Sequence, residues 1–265
     1  MTGVKSMAYY EKLPIVLLSE LASGREDSYN CRIAAWLLKH LGEQVSAEEI
    51  ARACFVSKSA VSRFCREVGL EDFYALREML ATAGKHFERL GDTDVASQSA
   101  RVASLGAESM LLAGNTIDTA ALDCLAREIA TAPRIACFGL LKAQAAALNL
   151  QCDLTMLGKQ AFTKIAFREQ MEYLKNASSD DLIVVFSYRG MYFDYDLPCE
   201  ARNTQAKLWM VTGNRSRTAT QKKPLLQGVI TFESRLDFAS HPYQLMAAAG
   251  ILAQRAAIAI SALPA

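Results

Sequence analysis

Hydroxyl-bearing and basic side chains are concentrated between residues 57 and 66. The candidates for contact with another molecule are Ser57, Lys58, Ser59, Ser62, Arg63 and Arg66. Lys and Arg can neutralise phosphates or hydrogen-bond to guanine, and Ser can reach either kind of group. An ordinary amphipathic helix with a solvated face would carry similar charges. Whether these residues bind a nucleic acid or only face solvent therefore depends on the elements that position them.

The surrounding stretch, residues 46–77, predicts two short helices joined by a tight turn. Ser46 and Glu49 form a capping box, so the first helix should begin at about residue 47. Ser57 can cap the second helix, and Gly69 stands where a left-handed stop residue belongs. The spacing predicts one buried stripe on the second helix, made of Val61, Phe64, Cys65 and Val68. The six candidates then face solvent, which is the layout of a helix-turn-helix that places its second helix in the major groove of DNA.

Charge balance limits how such a domain could bind DNA. Residues 1–90 contain twelve acidic and twelve basic side chains, and the whole chain of 265 residues carries a net charge of +1. Any positive field must therefore be local to one face. We expect steep salt dependence and modest affinity from a single copy of the domain, so two copies should be needed.

The chain is long enough for about two domains. Helical periodicity predicts five helices within residues 1–90, the last running from about residue 71 through Phe87. Residues 91–115 are richer in small polar side chains and are predicted to be a linker that continues as a helix. Residues 116–265 alternate strand and helix.

Apolar strands are predicted at 134–138, 182–186, 208–211 and 228–232, with helices at 142–157 and 241–262. Continuous apolar strands separated by helices indicate a parallel sheet that is covered on both faces. Ligands of such sheets bind at the carboxyl ends of the strands.

At this point the chain resembles the RpiR-type transcription regulators of bacteria. The specific match lies in the N-terminal part, at Ile50-Ala51, Val56-Ser57, Arg63-Phe64-Cys65, Gly69, and Phe73 with Leu76. The resemblance implies an all-α helix-turn-helix domain at 1–90 and a three-layer α/β SIS domain at 116–265, the sugar-isomerase fold that binds phosphosugars. It also implies a regulator whose binding to a double-stranded DNA operator responds to a phosphorylated sugar or a related anionic metabolite.

The resemblance implies a ligand site in the loops that follow the strands. Its candidate residues are Gly139, Lys142, Ser187, Arg189, Gly190 and Thr212. Family members carry more hydroxyl groups in these loops, where Ser and Thr with backbone N–H groups cradle a phosphate. Arg189 could replace the missing hydroxyl groups, because a guanidinium binds phosphate bidentately.

Two other functions stay open at this stage. One is a phosphosugar isomerase, for which Glu169, Glu172 or Glu200 could act as the base, although the first ninety residues would then have no role. The other is a regulator that has lost its ligand. We expect a protein that is not an enzyme and has no cofactor. With only three histidines in the chain, we also expect no metal site of the zinc type.

Composition also predicts where the protein works. Seven single cysteines without a Cys-x-x-Cys pair indicate reduced thiols. No apolar run of about 18 residues suggests a membrane span, and the first residues lack the apolar core of a signal peptide. We therefore expect a cytoplasmic protein with no membrane partner. Because two copies of the DNA-binding domain should be needed, we also expect a homodimer or tetramer.

Overall fold

A computed structural model describes residues 12–23, 28–84, 91, 94–194, 203–216, 226–235 and 241–263. The chain divides into two compact units, Met1–Arg89 with Ile165–Glu169, and Leu90–Lys164 with Gln170–Ala265. Each unit is considered by itself below.

The first unit is helical throughout its described part. Its helices are α1 (Lys12–Ala22), α2 (Tyr29–Lys39), α3 (Ala47–Ala53), α4 (Lys58–Glu67) and α5 (Phe73–Thr82). The predicted stripe of α4 is fully buried, since Val61, Phe64, Cys65 and Val68 have no exposed surface. They join the core with Ile33 and Leu37 of α2, Ile50 of α3, and Leu76 and Leu80 of α5.

One helix end in this unit was predicted wrongly. The fifth helix ends at Thr82, and Ala83 already has an extended backbone, with φ −71° and ψ 144°. The apolar repeat continues past this point, but Gly84 is a poor helix former. Phe87 lies outside the described residues.

The second unit begins with two helices, α6 (Val95–Thr116) and α7 (Thr119–Thr131). The range 91–115, predicted as a linker that continues as a helix, is thus occupied mostly by α6. The remaining helices are α8 (Lys142–Met156), α9 (Phe167–Asn176) and α10 (Tyr243–Ser261). Helix α10 packs on α6, α7 and α8.

Five parallel strands form the sheet, in the order β2-β1-β3-β4-β5. They are β1 (Arg134–Gly139), β2 (Ala161–Phe162), β3 (Asp181–Phe186), β4 (Lys207–Thr212) and β5 (Gly228–Thr231). The sequence predicted four of them and missed β2, which has only two residues and so no readable alternation.

Successive side chains of β1 point to opposite faces of the sheet. Ile135 and Cys137 join the cluster that contains α7, α8 and α10, whereas the ring of Phe138 meets Tyr173 of α9 edge to face at 5.7 Å. The sheet is therefore covered on both faces, as its continuous apolar strands predicted. Helix α10 is the one described helix that is long and apolar enough to cross a membrane, and its buried residues belong to this same core.

The thiols follow the predicted pattern in part. The six described cysteines are free, and Cys31, Cys54, Cys65 and Cys137 are buried. Burial raises the pKa of Cys65 to about 12, which leaves this thiol protonated and unreactive. Cys152 is exposed and so is not a core thiol, while Cys199 lies outside the described residues.

Candidate DNA interface and ligand edge

The turn between α3 and α4 is fixed by caps at both helix starts. The Ser46 hydroxyl accepts from the Glu49 N–H at 3.2 Å, and a Glu49 carboxylate oxygen accepts from the Ser46 N–H at 2.7 Å. The hydroxyl of Ser57 accepts from the N–H of Ala60 at 3.2 Å and begins α4. Gly69 ends the stretch with φ +77°. The two helices are thus held in the arrangement that the cap residues predicted.

All six predicted contact residues on and before α4 are exposed. Two of the three basic residues contact side chains from other helices. Lys58 forms an ion pair with Glu48 of α3, and the guanidinium of Arg63 lies over the ring of Tyr29, 5.3 Å from its centroid. These contacts were not predicted, because both partners lie ten or more residues earlier in the chain.

Phe55, at the turn itself, has an unusual conformation. Its φ is +53°, and 87% of its surface is exposed. A left-handed backbone is strained for any residue with a Cβ, and helix-turn-helix turns often contain Gly for this reason. The turn therefore keeps its geometry although the residue type is unfavourable.

In the second unit, the predicted ligand residues lie at the carboxyl edge of the sheet or in the loops beside it. Gly139 ends β1, Thr212 ends β4, and the turn Ser187–Gly190 follows β3. This turn is closed by a bond from the Gly190 N–H to the Ser187 carbonyl at 2.8 Å, and Gly190 has φ +73°. The parallel arrangement thus places these loops side by side.

Internal hydrogen bonds engage both hydroxyl groups of this set. The Ser187 hydroxyl accepts from the Tyr192 N–H at 3.1 Å. The buried Thr212 hydroxyl donates to the Tyr188 carbonyl at 3.2 Å and accepts from the Asn214 N–H at 3.1 Å. These two residues therefore hold the loops in shape, and neither is exposed.

Aromatic side chains fill the space beside these loops. The Tyr188 ring stacks on the His241 ring with centroids 4.5 Å apart, and both side chains are buried. The Tyr188 hydroxyl donates to Gln244 Oε1 at 3.0 Å. On the other side of the loop, the buried Tyr192 hydroxyl donates to Gln170 Oε1 at 2.6 Å.

Two of the predicted ligand residues, Lys142 and Arg189, carry a positive charge. Lys142 Nζ donates to the His241 carbonyl at 3.4 Å, and burial lowers the pKa of this amine. Arg189 is half-buried, and its carbonyl accepts from Asn214 Nδ2 at 3.1 Å. Burial, with a smaller contribution from Lys142, lowers the pKa of His241 to about 3, so this ring is neutral near pH 7. The edge is thus locally cationic, which favours an anion.

A cavity of about 70 Å³ lies at the opposite, amino edge of the sheet, between Glu128, Asp180 and Lys207. It is much smaller than the several hundred Å³ of typical ligand pockets. It is therefore too small to hold a ligand of that size.

Comparison with known proteins gives a different result for each of the two units. Residues 26–85 match the model of the helix-turn-helix domain of the rpiR family. They form an RpiR-type helix-turn-helix domain. None of the curated proteins matches the chain in sequence.

Solved structures extend the comparison beyond the RpiR-type domain. The sugar isomerase domain of an RpiR transcription factor from Sphaerobacter thermophilus is 17% identical, with a TM-score of 0.50, and the match covers 60% of this chain and 89% of that one. The Vibrio vulnificus NanR protein complexed with ManNAc-6P is 17% identical, with a TM-score of 0.49 over 94% of this chain and 90% of that one. The match to the Sphaerobacter thermophilus domain shows that the second unit has the fold of a sugar isomerase (SIS) domain.

Sequence reasoning predicted the helix-turn-helix domain and the parallel sheet, but it missed residues that hold these regions in shape. Tyr29 and Glu48 contact basic side chains on the exposed face of α4. At the carboxyl edge of the sheet, Gln170 bonds to Tyr192 and Gln244 bonds to Tyr188. No local motif marks any of the four. His241, the first residue of the helix predicted at 241–262, precedes α10 by two positions and also stacks on Tyr188.

Proposed function

We propose that this protein is a transcription regulator that binds an operator through α4 and whose DNA affinity changes when a phosphorylated sugar or a related anionic metabolite binds at the carboxyl edge of the SIS domain. The observation that carries the proposal is the exposed face of α4, with its hydroxyl and basic side chains, in a domain of the RpiR family. Ser57, Lys58, Ser59 and Ser62 lie on the first turns, which in a recognition helix meet base edges, and Arg63 and Arg66 follow one turn apart.

The ligand part of the proposal rests on the chemistry of the carboxyl edge. Lys142 and Arg189 supply cationic groups, and Gly139, Ser187, Gly190 and Thr212 shape the loops. The Ser187 hydroxyl accepts one hydrogen bond and can still donate its proton to an anion. The Sphaerobacter thermophilus domain of the same fold is described as a sugar isomerase domain, which supports a sugar derivative as the class of ligand.

The mechanism we propose is thermodynamic linkage. A ligand that binds one arrangement of a dimer more tightly than another shifts the population toward that arrangement. If the spacing of the two α4 helices differs between arrangements, the affinity for paired operator half-sites changes as well. We further propose that the protein acts in the cytoplasm, as a homodimer or tetramer, without catalysing a reaction.

Selection from a randomised library of double-stranded DNA with the full-length protein tests the DNA part. We expect an enriched motif made of two half-sites one helical turn or more apart, and binding that weakens steeply with salt. Absence of any enriched sequence would contradict the assignment as an operator-binding regulator.

A thermal-shift panel of hexose, pentose and N-acetylhexosamine phosphates, with inorganic phosphate alone, tests the ligand part. We expect at least one sugar phosphate to raise the melting temperature of the wild type and to do so much less for Arg189→Ala. If no member of the panel shifts the melting temperature while DNA binding is intact, the protein is a regulator that has lost its ligand. Turnover of a sugar phosphate would instead support an isomerase.

A further inference from the structure

The side chain of Arg63 is held by a residue from outside α4. Its guanidinium carbon lies 5.3 Å from the centroid of the Tyr29 ring. Tyr29 is the first residue of α2, and the hydroxyl of Ser28 caps that helix by accepting from the Cys31 N–H at 3.1 Å. The ring therefore belongs to a fixed helix start.

The far end of the Tyr29 ring is also fixed. Its hydroxyl donates to the carboxylate of Glu67, at 2.8 Å from Oε1 and 2.9 Å from Oε2. Asn30 Nδ2 donates to the same carboxylate at 2.9 Å from Oε2. Glu67 lies one turn after Arg63 on α4, so the ring is anchored at its backbone and at its hydroxyl while the guanidinium lies over it.

This arrangement affects what Arg63 can do. A cation over a ring is attracted by the negative face of the π-system, and none of its N–H donors is used for that contact. Glu67, which at i+4 would be the natural ion-pair partner of Arg63, is occupied by the donors of α2. Arg63 can therefore be restricted in conformation while its N–H groups remain available for a nucleic acid.

We propose that Tyr29 is a positioning residue for DNA recognition, which holds the guanidinium of Arg63 in the orientation that meets the operator. The proposal rests on the function proposed above, because it requires Arg63 to contact DNA. It assigns a role in binding to a residue of α2 that lies outside the helix-turn-helix motif itself.

A double-mutant cycle tests this role, with the duplex selected by the wild-type protein as the specific probe and a scrambled duplex as the non-specific probe. We expect Arg63→Ala to weaken specific binding by about 10- to 100-fold, as for the loss of one good base contact. Tyr29→Leu should weaken it by about two- to fivefold, the value of an exposed cation–π contact. In the Arg63→Ala background, Tyr29→Leu should have no further effect.

Two further variants separate positioning from folding. Tyr29→Phe keeps the ring and loses the hydroxyl, so it should retain most of the specific affinity. Tyr74→Leu is the matched control. In α5, the guanidinium of Arg77 also lies over a tyrosine ring, 5.1 Å from the centroid of Tyr74, but neither residue belongs to α4. This control should leave specific binding unchanged.

Several results would overturn the proposal. If Tyr29→Leu weakens binding equally in the presence and absence of the Arg63 side chain, Tyr29 acts independently of Arg63. If Tyr29→Leu leaves binding intact while Arg63→Ala weakens it, the positioning role fails and the DNA-contact role of Arg63 stands. If Arg63→Ala itself has no effect, the assignment of Arg63 fails and the positioning role fails with it.

Discussion

All six residues predicted to contact DNA are exposed to solvent, whereas none of the six residues predicted to contact a ligand is. The side chains on the exposed face of α4 take no part in the core, because the opposite face of the helix supplies the core residues. At the carboxyl edge of the sheet, the same side chains that could meet a ligand also hold the loops together. Ser187 and Thr212 are examples, since both hydroxyl groups take part in internal hydrogen bonds.

This difference bears on how each region can evolve and respond. The exposed residues of α4 can change with little effect on the free energy of unfolding, because surface substitutions away from special features usually matter little. A ligand at the carboxyl edge must instead work with a network that already satisfies its own polar groups. If a ligand binds there as proposed, we expect the SIS domain to respond by a change in that network.

The largest expected effect tests how crowded the carboxyl edge is. A Cβ on Gly139 would lie 2.7 Å from the carbonyl oxygen of Ala143 and 2.8 Å from its carbon. Both atoms belong to the backbone of α8 and cannot turn away. We expect Gly139→Ala to lower the free energy of unfolding by about 3 kcal/mol in urea titrations, as for overpacking of a rigid site.

Gly250→Ala is the control for that substitution. Gly250 lies within α10, and a Cβ there would meet nothing within 4 Å. Because Ala is the better helix former, this variant should be slightly more stable than the wild type. Equal stability of Gly139→Ala and the wild type would show that the loop after β1 can relax and that the edge is less crowded than the structure indicates.

The second prediction concerns His241, whose pKa lies at about 3 in the folded protein because the ring is buried. The unfolded chain takes up a proton at this residue below about pH 6.5, while the folded protein stays neutral there down to about pH 3. The stability that neutral His241 contributes is therefore fully present above about pH 6.5. The free energy of unfolding falls as the pH is lowered from about 6.5 toward about 3.

His241→Phe should remove this dependence while keeping a ring against Tyr188. Between pH 7.5 and pH 5.5 the wild type should lose about 1.4 kcal/mol relative to this variant, according to the linkage relation. Urea titrations of both proteins at the two pH values measure the difference, in which the contributions of His40 and His86 cancel. A difference that stays constant with pH would mean that water reaches the ring.

The contrast between the two regions also explains what could be predicted from the sequence. On α4, a buried stripe of Val61, Phe64, Cys65 and Val68 determines by helical spacing alone which side chains face solvent. Caps such as Ser46 and Ser57 are local, so the helix starts were predicted correctly as well. Four apolar strands likewise predicted the parallel sheet of the second unit, whereas the SIS fold was implied only by the resemblance.

The partners at the carboxyl edge could not be found in this way. Gln170 bonds to Tyr192 and Gln244 bonds to Tyr188, across 22 and 56 residues of chain. A glutamine carries no periodic signal, and nothing in its neighbourhood distinguishes a buried one from a solvated one. The same holds for Tyr29, whose contact with Arg63 depends on how α2 crosses α4.

The third prediction tests the strain at the turn of the DNA-binding domain. Phe55 has φ +53° and is mostly exposed, so its side chain contributes little packing against the strain of the left-handed backbone. Phe55→Gly should raise the free energy of unfolding by about 0.5–1 kcal/mol, since Gly adopts this conformation without the Cβ clash but orders at a larger entropic cost. Phe55→Ala, which keeps the Cβ, should gain much less in the same urea titration. An equal gain in both variants would locate the cost in the exposed ring rather than in the backbone.

The smallest expected effect concerns the ion pair between Glu48 and Lys58 on the exposed side of the turn. Exposed pairs contribute little to stability, so Glu48→Gln should leave the melting temperature unchanged. The substitution removes a negative charge beside a lysine that we expect to approach phosphates. Non-specific DNA binding should therefore become about two- to threefold tighter at low salt, with a smaller gain at 0.2 M salt because screening weakens the repulsion.

Glu43→Gln serves as the matched variant, because Glu43 is also exposed and lies before the start of α3. Its effect on binding of the scrambled duplex should be smaller than that of Glu48→Gln at every salt concentration. If the two variants tighten binding equally, only the net charge of the domain matters, and the exposed face of α4 is not the surface that approaches the DNA. If Glu48→Gln weakens binding, the carboxylate positions Lys58 for its contact, and two basic residues of α4, Lys58 and Arg63, are both oriented from outside the helix.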